Sequence, residues 1–293
     1  MRSPAEPRPS ALDEIVDTDR YPITDPTDPA YHDLLHAVRA QLDENGCSVL
    51  ADLVRPELLD RLRAEGDEVA PHAYHDVETV NVYNTAPDPT LPADHPAHRT
   101  TARGNAFVAR DRIPEGALIQ RLYPSPDFRR FVADCFGLAT VYPLADPLSG
   151  LTLNVVVPGR GHPWHFDTNE FTVSLLTRSP DGGGVFEYCP GIRSPAAENL
   201  DDVRAVLDGD GGRLVRRLTL RPGDLQLFTG RYSLHRVTEV AGATARHTAI
   251  FAYSERPDVI GTVARTRQLF GRVTRAHLAA DAAAAARVDG LLI

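Results

Sequence analysis

The segment HPWHFDTNEF, residues 162–171, carries the side chains best suited to bind a metal ion. On an extended strand, side chains at positions i and i+2 point to the same face, so His165 and Asp167 can converge while Phe166 turns away. An imidazole and a carboxylate are two members of the 2-His-1-carboxylate triad that binds non-haem Fe(II) and leaves coordination positions open. We expect His235, in GRYSLHRVT, to be the third ligand.

A candidate anion site follows the third histidine. Arg246 and Thr248 lie eleven and thirteen residues after His235 and share one face of a predicted strand. A guanidinium there can bind a carboxylate with two hydrogen bonds, and the hydroxyl can add a third. Zinc is the rival metal at the histidines, but the thiolate ligands typical of structural zinc sites are absent from this pattern.

The elements that must position these residues are β-strands. From residue 139 onward, short β-branched or aromatic runs alternate with turn signals such as Pro158-Gly159 and Pro222-Gly223-Asp224. Eight such runs predict a mainly β fold with flanking helices and a double-sheet jelly-roll core, a cupin-like double-stranded β-helix. A helical insertion is expected near residues 196–208.

Composition and hydrophobic periodicity change along the chain and divide it into regions. Residues 1–25 are rich in proline and predict a disordered lead-in, and 26–293 predict a single domain. Within that domain we expect a helical preface and lid at 26–138, the jelly-roll core at 139–256 and a helical tail at 257–293. Residues 71–116 show little periodicity but contain aromatic and polar side chains, which favours a substrate lid over disorder.

Composition excludes several functions. The net charge of −9 argues against a nucleic-acid binder, and no apolar run is long enough to span a membrane. All 31 basic residues are arginine, so catalysis through a lysine Schiff base and a Walker A lysine are excluded. The three cysteines are widely spaced, which is typical of buried thiols in a reducing cytoplasm. We therefore expect a cytoplasmic protein, and oligomerisation stays open.

The order His-x-Asp, distant His and Arg-x-Thr resembles the signature of the Fe(II)/2-oxoglutarate-dependent oxygenases over roughly residues 140–256. The resemblance implies that a jelly roll binds iron through His165, Asp167 and His235, and that Arg246 binds the distal carboxylate of 2-oxoglutarate. It also implies a dioxygenase that uses Fe(II), 2-oxoglutarate and O₂ to oxidise an unactivated C–H bond.

A closer likeness is to the branch that contains free-amino-acid radical halogenases and their hydroxylase relatives, several of which act on lysine. The segments that carry it are GHPWHFDTNEF, GGGVFEYCP, PGDLQLFTGRYSLHRVT and RHTAIFAYSE. Halogenases of that branch have Gly or Ala in place of the metal carboxylate, so that chloride can bind iron. Because Asp167 keeps the carboxylate, the resemblance implies hydroxylation of a lysine-like amino acid in natural-product biosynthesis.

Several side chains could contact 2-oxoglutarate or such a small-molecule substrate. Asn154 could donate to 2-oxoglutarate, and a buried amide satisfied by the backbone is an equal alternative. In the resembling branch, the position of His162 contacts either the substrate or the residues around the metal ligands, although a turn histidine bonded to the backbone is equally compatible. Glu170 or Glu187 could pair with a substrate ammonium, unless each pairs with a structural arginine.

The substrate carboxylate needs a cation, and the absence of lysine leaves arginine as the main candidate. Arg103, in the predicted lid, is the preferred residue, and Arg193 and Arg231 are its rivals. Two other functions remain open. One is oxidative cyclisation, for example cyclopropane formation, or desaturation of a modified amino acid, which begins with the same hydrogen abstraction. The other is a non-catalytic cupin-like metal-binding protein, which would have no need of Arg246.

Overall fold

The computed structural model describes residues 12–75, 79–86 and 88–286. Among them are seven α-helices: α1 (Pro29–Asn45), α2 (Leu59–Val69), α3 (Leu118–Leu122), α4 (Pro126–Cys135), α5 (Leu200–Asp208), α6 (Val263–Phe270) and α7 (Arg275–Ala286). The predicted helical preface contains α1, where Asp28 caps the first turn and Gly46 ends the helix in a left-handed conformation.

Sixteen strands are described. The first eight are β1 (Cys47–Leu50), β2 (Thr79–Val80), β3 (Thr101–Ala102), β4 (Asn105–Val108), β5 (Tyr142–Pro143), β6 (Leu151–Val156), β7 (His162–His165) and β8 (Thr172–Arg178). The others are β9 (Gly182–Gly183), β10 (Phe186–Cys189), β11 (Arg216–Leu218), β12 (Leu225–Phe228), β13 (Leu234–Val237), β14 (Val240–Ala241), β15 (Arg246–Phe251) and β16 (Tyr253–Ser254).

Two antiparallel sheets form the core. The larger has six strands in the order β1-β12-β8-β15-β6-β4, and the smaller has four in the order β11-β10-β13-β7. Helices α1, α2, α3 and α4 contribute to the large apolar cluster on one side of the six-stranded sheet. This arrangement confirms the predicted mainly β fold with flanking helices and a jelly-roll core.

Two local features differ from expectation. His165 and Asp167 do not share one strand as expected, because β7 ends at His165 and β8 begins only at Thr172. Asp167 therefore lies just beyond a strand end, where its amide donates to the Gly230 carbonyl. The 71–116 segment is also less irregular than predicted, since β4 joins the edge of the six-stranded sheet beside β6.

The predicted disordered lead-in lies partly outside the described residues, at 1–11. From residue 12 onward the structure differs from that prediction, because Leu12, Ile15 and Ile23 are buried in the main apolar cluster. The Asp17 amide donates to the Leu53 carbonyl, and Ile15 accepts from the Arg55 amide. Burial of these apolar side chains outweighs the proline-rich composition that suggested disorder.

Candidate metal centre and cavity

The two sheets bring the predicted metal ligands together. His165 on β7 lies directly opposite His235 on β13, because the two residues are partners in the strand register. Asp167 Oδ1 lies 3.8 Å from His165 Nε2 and 3.5 Å from His235 Nε2. Within the described residues, these three form a group whose potential ligand atoms all lie within 4.8 Å of one another.

Backbone carbonyls orient both imidazoles. The Nδ1 atom of His165 is 2.8 Å from the Pro163 carbonyl, and that of His235 is 2.9 Å from the Ser233 carbonyl. A proton on Nδ1 leaves the Nε2 lone pair directed toward Asp167, which is the arrangement that metal-ligating histidines use. Burial, with the neighbouring His235, lowers the pKa of His165 to about 3, so this ring is neutral and able to bind a metal.

The carboxylate of Asp167 is held ionised. Burial opposes its charge, but the neighbouring His235 and His165 and the Thr172 hydroxyl outweigh that effect and place the pKa of this carboxyl below its usual range. Thr172 Oγ1 donates to Asp167 Oδ2 at 2.6 Å, while Oδ1 faces the two histidines. Two imidazoles and one carboxylate are the ligand set that binds non-haem Fe(II).

A cavity of about 150 Å³ extends from this cluster between the two sheets. Arg246, Thr248 and Asn154 line it from the six-stranded sheet, in the adjacent strands β15 and β6. Arg246 Nη1 donates to Thr248 Oγ1 at 2.5 Å, and Asn154 accepts a hydrogen bond from Asn105 at 3.0 Å. The predicted period-2 placement of Arg246 and Thr248 on one face thus agrees with the structure.

Arg246 is a buried cation with no ion-pair partner among the described carboxylates. Only 4% of the residue is exposed, and burial lowers the pKa of its guanidinium to about 10, which still leaves it charged at neutral pH. A buried charge without a counter-ion is strongly unfavourable. The cavity therefore fits an anionic ligand at Arg246, and the dicarboxylate 2-oxoglutarate has the required chemistry.

The residues predicted to contact substrate fall into two groups. Arg103 and His162 line the cavity, and the His162 ring stacks on His165 with 3.9 Å between the ring centroids. Burial lowers the pKa of His162 well below its usual value, so its ring is neutral. Arg103 is itself only 7% exposed. These two side chains and the metal cluster thus line the same cavity.

The other candidates lie elsewhere, which corrects the expectation that they meet substrate in this cavity. Glu170 is exposed in the loop between β7 and β8 and does not line it. Glu187 is buried but points away, because its oxygens accept from Arg217 at 2.9 Å and Arg236 at 2.7 Å. Glu187 therefore pairs with structural arginines, which was the alternative to a substrate role.

The two rival arginines belong to an adjoining cavity of about 440 Å³. Arg231 is exposed and donates to the Thr168 carbonyl at 3.2 Å. The Arg193 guanidinium lies 3.8 Å from the centroid of the Phe166 ring and forms an ion pair with Glu198 at 3.2 Å. Neither lines the cavity that contains the metal cluster.

Sequence reasoning missed several cavity residues. Thr172 and Ser174 alternate with Val173 in FTVSLL, so the period-2 rule could have identified them as inward-facing. Arg265 lines the cavity from α6, and Asn84 reaches it from the predicted lid, where it donates to the Phe166 carbonyl at 3.2 Å. No short motif marks either residue, because each is brought to the cavity by long-range packing.

Comparison with known proteins identifies the family. The family model described as Halogenase D matches residues 30–269. The chain belongs to the Halogenase D family. No curated protein sequence matches the chain. This match spans both the helical preface and the jelly roll, so the family relationship extends beyond the metal-binding motifs.

Solved structures share the fold at low sequence identity. The non-heme alpha ketoglutarate dependent epimerase SnoN from nogalamycin biosynthesis has a TM-score of 0.50 at 14% identity, over 77% of this chain and 81% of that chain. SnoN in complex with Fe³⁺, alpha ketoglutarate and nogalamycin RO gives the same TM-score at 15% identity, over 77% of this chain and 84% of that chain. A Pseudomonas putida prolyl-4-hydroxylase gives 0.48 at 18% identity, over 76% of this chain and 99% of that chain.

Family membership, the jelly-roll fold and the histidine–aspartate cluster agree with one another. They agree with the predicted enzyme class, an Fe(II)/2-oxoglutarate-dependent oxygenase, and with its predicted iron site. The alternative of a non-catalytic metal-binding protein is thereby disfavoured. None of the described helices is both long and apolar enough to cross a membrane.

Proposed function

We propose that this enzyme hydroxylates an unactivated C–H bond of a free amino acid, with His165, Asp167 and His235 as the iron ligands. The observation that carries the proposal is the carboxylate of Asp167 inside the metal cluster, in the same cavity as the buried Arg246. Membership of the Halogenase D family does not decide between halogenation and hydroxylation, whereas the residue at position 167 bears on that choice directly.

Bound iron and 2-oxoglutarate would supply the oxidising chemistry, and the protein would supply orientation and exclusion of water. Arg246 would pair with one carboxylate of 2-oxoglutarate, with the Thr248 hydroxyl beside it. The carbonyls of Pro163 and Ser233 would hold the two histidine rings in their ligating orientation. The aromatic side chains of Phe107, Phe186 and Phe228, which line the cavity, would help to keep water from the reacting carbon.

A free amino acid would place its carboxylate near Arg103 and His162. Both line the cavity beside the metal cluster, and a zwitterion that leaves water needs a counter-charge for its carboxylate. The lysine-like substrate is proposed on the likeness to the free-amino-acid branch alone. Since Glu170 and Glu187 lie outside the cavity, the group that would bind a side-chain ammonium is not among the acids predicted for that role.

The test is a screen of free amino acids, with lysine and its derivatives first, in the presence of Fe(II), 2-oxoglutarate and O₂. We expect substrate-dependent succinate release together with a product that has gained the mass of one oxygen atom. A product that has lost two hydrogen atoms would instead establish ring closure or desaturation. Succinate release that no amino acid stimulates would contradict the proposed substrate class.

Asp167 should prevent halogenation. Its carboxylate occupies the position at which chloride would bind iron in halogenases of the resembling branch, and Thr172 holds that carboxylate in place. We expect the wild-type enzyme in high chloride to give hydroxylated product without chlorinated product, as read by the isotope pattern in mass spectra. Predominance of chlorinated product would show that a carboxylate at this position does not exclude chloride. The same reaction in chloride-free buffer is the control.

Replacement of Arg103 should weaken substrate binding selectively. Loss of one partner of a buried charge pair costs about 2–5 kcal/mol, so we expect Arg103→Ala to raise the substrate KM by roughly 30-fold or more. The 2-oxoglutarate requirement should change little, because Arg246 remains. Arg112→Ala, at an exposed position in the same segment, is the matched control. Loss of 2-oxoglutarate binding in Arg103→Ala, with substrate KM unchanged, would assign the residue to the cosubstrate instead.

A further inference from the structure

We propose that Thr172 is a positioning residue that restricts Asp167 to one metal-ligating oxygen. The inference rests on the proposed ligand role of Asp167 and deepens it. Thr172 is the first residue of β8, and Asp167 lies in the loop that joins β7 to β8. The Thr172 hydroxyl therefore reaches the Asp167 carboxylate from the six-stranded sheet. The bond from Thr172 Oγ1 to Asp167 Oδ2 measures 2.6 Å, which is short for a hydroxyl donor and typical of a bond to an ionised acceptor.

The two oxygens of Asp167 have different surroundings. Oδ1 lies 3.5 Å and 3.8 Å from the Nε2 atoms of the two histidines, on the side where the ligand atoms converge. Oδ2 has the Thr172 hydroxyl on one side and the backbone of Gly230 on another. A Cβ atom added to Gly230 would lie only 1.9 Å from Oδ2, so this glycine packs directly against that oxygen.

The backbone supports the same orientation. The Asp167 amide donates to the Gly230 carbonyl at 3.1 Å, and the Phe166 amide donates to the Val82 carbonyl at 2.8 Å. The loop that carries Asp167 is therefore fixed to the segment preceding β13 and to the predicted lid. With its backbone anchored and Oδ2 engaged, the carboxylate cannot rotate to present both oxygens to a metal without breaking the Thr172 bond.

The restriction matters for the chemistry of an iron site. A carboxylate that ligates through both oxygens occupies one more coordination position than a carboxylate that ligates through one. The facial triad serves oxygenases because it leaves positions open for a cosubstrate and O₂. Hydrogen bonds to ligating side chains also tune metal affinity, and their loss typically costs about 10- to 100-fold in affinity or activity.

The experiment compares three variants on β8 by anaerobic titration with Fe(II), which reads metal affinity without turnover. Thr172→Val removes the hydroxyl at nearly constant volume, and Thr172→Ser restores it. Thr177→Val is the matched control, because Thr177 lies on the same strand, is buried, and its hydroxyl has no hydrogen-bond partner in the described part of the chain. Circular dichroism and thermal melting establish that each variant is folded.

We expect Thr172→Val to raise the Fe(II) dissociation constant by about 10- to 100-fold, in line with the loss of other hydrogen bonds to ligating groups. Thr172→Ser should stay within about threefold of wild type, and Thr177→Val should be unchanged. Wild-type affinity in a folded Thr172→Val would overturn the positioning role. A wild-type protein that binds no Fe(II) would instead contradict the proposed metal site itself, so the two failures are distinguishable.

If Thr172→Val fails to fold, Gly230→Ala tests the same constraint from the other side. The added methyl group would displace Oδ2 while the Thr172 hydroxyl stays in place. A comparable loss of Fe(II) affinity in Gly230→Ala, with Thr172→Ser close to wild type, supports the positioning role. Unchanged affinity in Gly230→Ala overturns it, because the carboxylate would then tolerate movement of its second oxygen.

Discussion

His235→Ala should abolish both iron retention and turnover. His235 lies opposite His165 in the strand register, and its Nε2 atom is 3.5 Å from Asp167 Oδ1. Loss of groups that only orient a ligand costs about 10- to 100-fold in metal affinity, so loss of a ligand should exceed about 100-fold. Metal content after gel filtration and succinate release measure the two effects.

The control for this variant is His36→Ala, which removes an exposed histidine from α1. It should retain wild-type iron content, because His36 does not belong to the cluster that the three ligand candidates form. Full iron content and full activity in His235→Ala would remove this residue from the ligand set, and the proposed function would then lack its metal site.

Arg246→Ala should raise the concentration of 2-oxoglutarate needed for half-maximal turnover by roughly 30-fold or more. The estimate follows from about 2–5 kcal/mol for loss of one partner in a buried charge pair. Arg246 is buried beside Thr248 and has no described carboxylate as a partner, so a bound dicarboxylate would provide its counter-charge. Titration of 2-oxoglutarate, followed by succinate release, gives the shift.

Two further variants make the Arg246 experiment specific. Arg246→Lys keeps the charge but loses the planar pair of donors, so its 2-oxoglutarate requirement should fall between those of wild type and Arg246→Ala. Arg256→Ala, at an exposed position after β16, should behave as wild type. An unchanged 2-oxoglutarate requirement in Arg246→Ala would place the cosubstrate anchor elsewhere in the cavity.

The core of the fold was predictable because its signals are local. Short β-branched or aromatic runs, separated by turn signals, marked β6, β8 and β15. The loop between β7 and β8 was not predictable in the same way. The spacing of His165 and Asp167 suggested one continuous strand there, but hydrogen bonds to Val82 and Gly230, which are distant in sequence, give the loop a different conformation.

The candidate site was likewise predictable only in part from the sequence. The order of His165, Asp167, His235 and Arg246 identified the cluster and the buried cation, since these residue types have few structural uses in that arrangement. The acids were harder to place because a carboxylate is equally suited to a substrate and to a structural arginine. Glu187 pairs with structural arginines. The sequence does not show this, because Arg217 and Arg236 come to Glu187 only through the pairing of neighbouring strands.

The burial of apolar side chains within residues 12–23 has a practical consequence for gene design. A shortened gene that starts near residue 26 would omit Leu12, Ile15 and Ile23 and leave the surface they cover open to water. Each such side chain contributes about 1.5–3 kcal/mol on burial, against a total stability of roughly 5–15 kcal/mol for a typical protein. A recombinant form intended for crystallisation should therefore keep the chain from residue 12 onward.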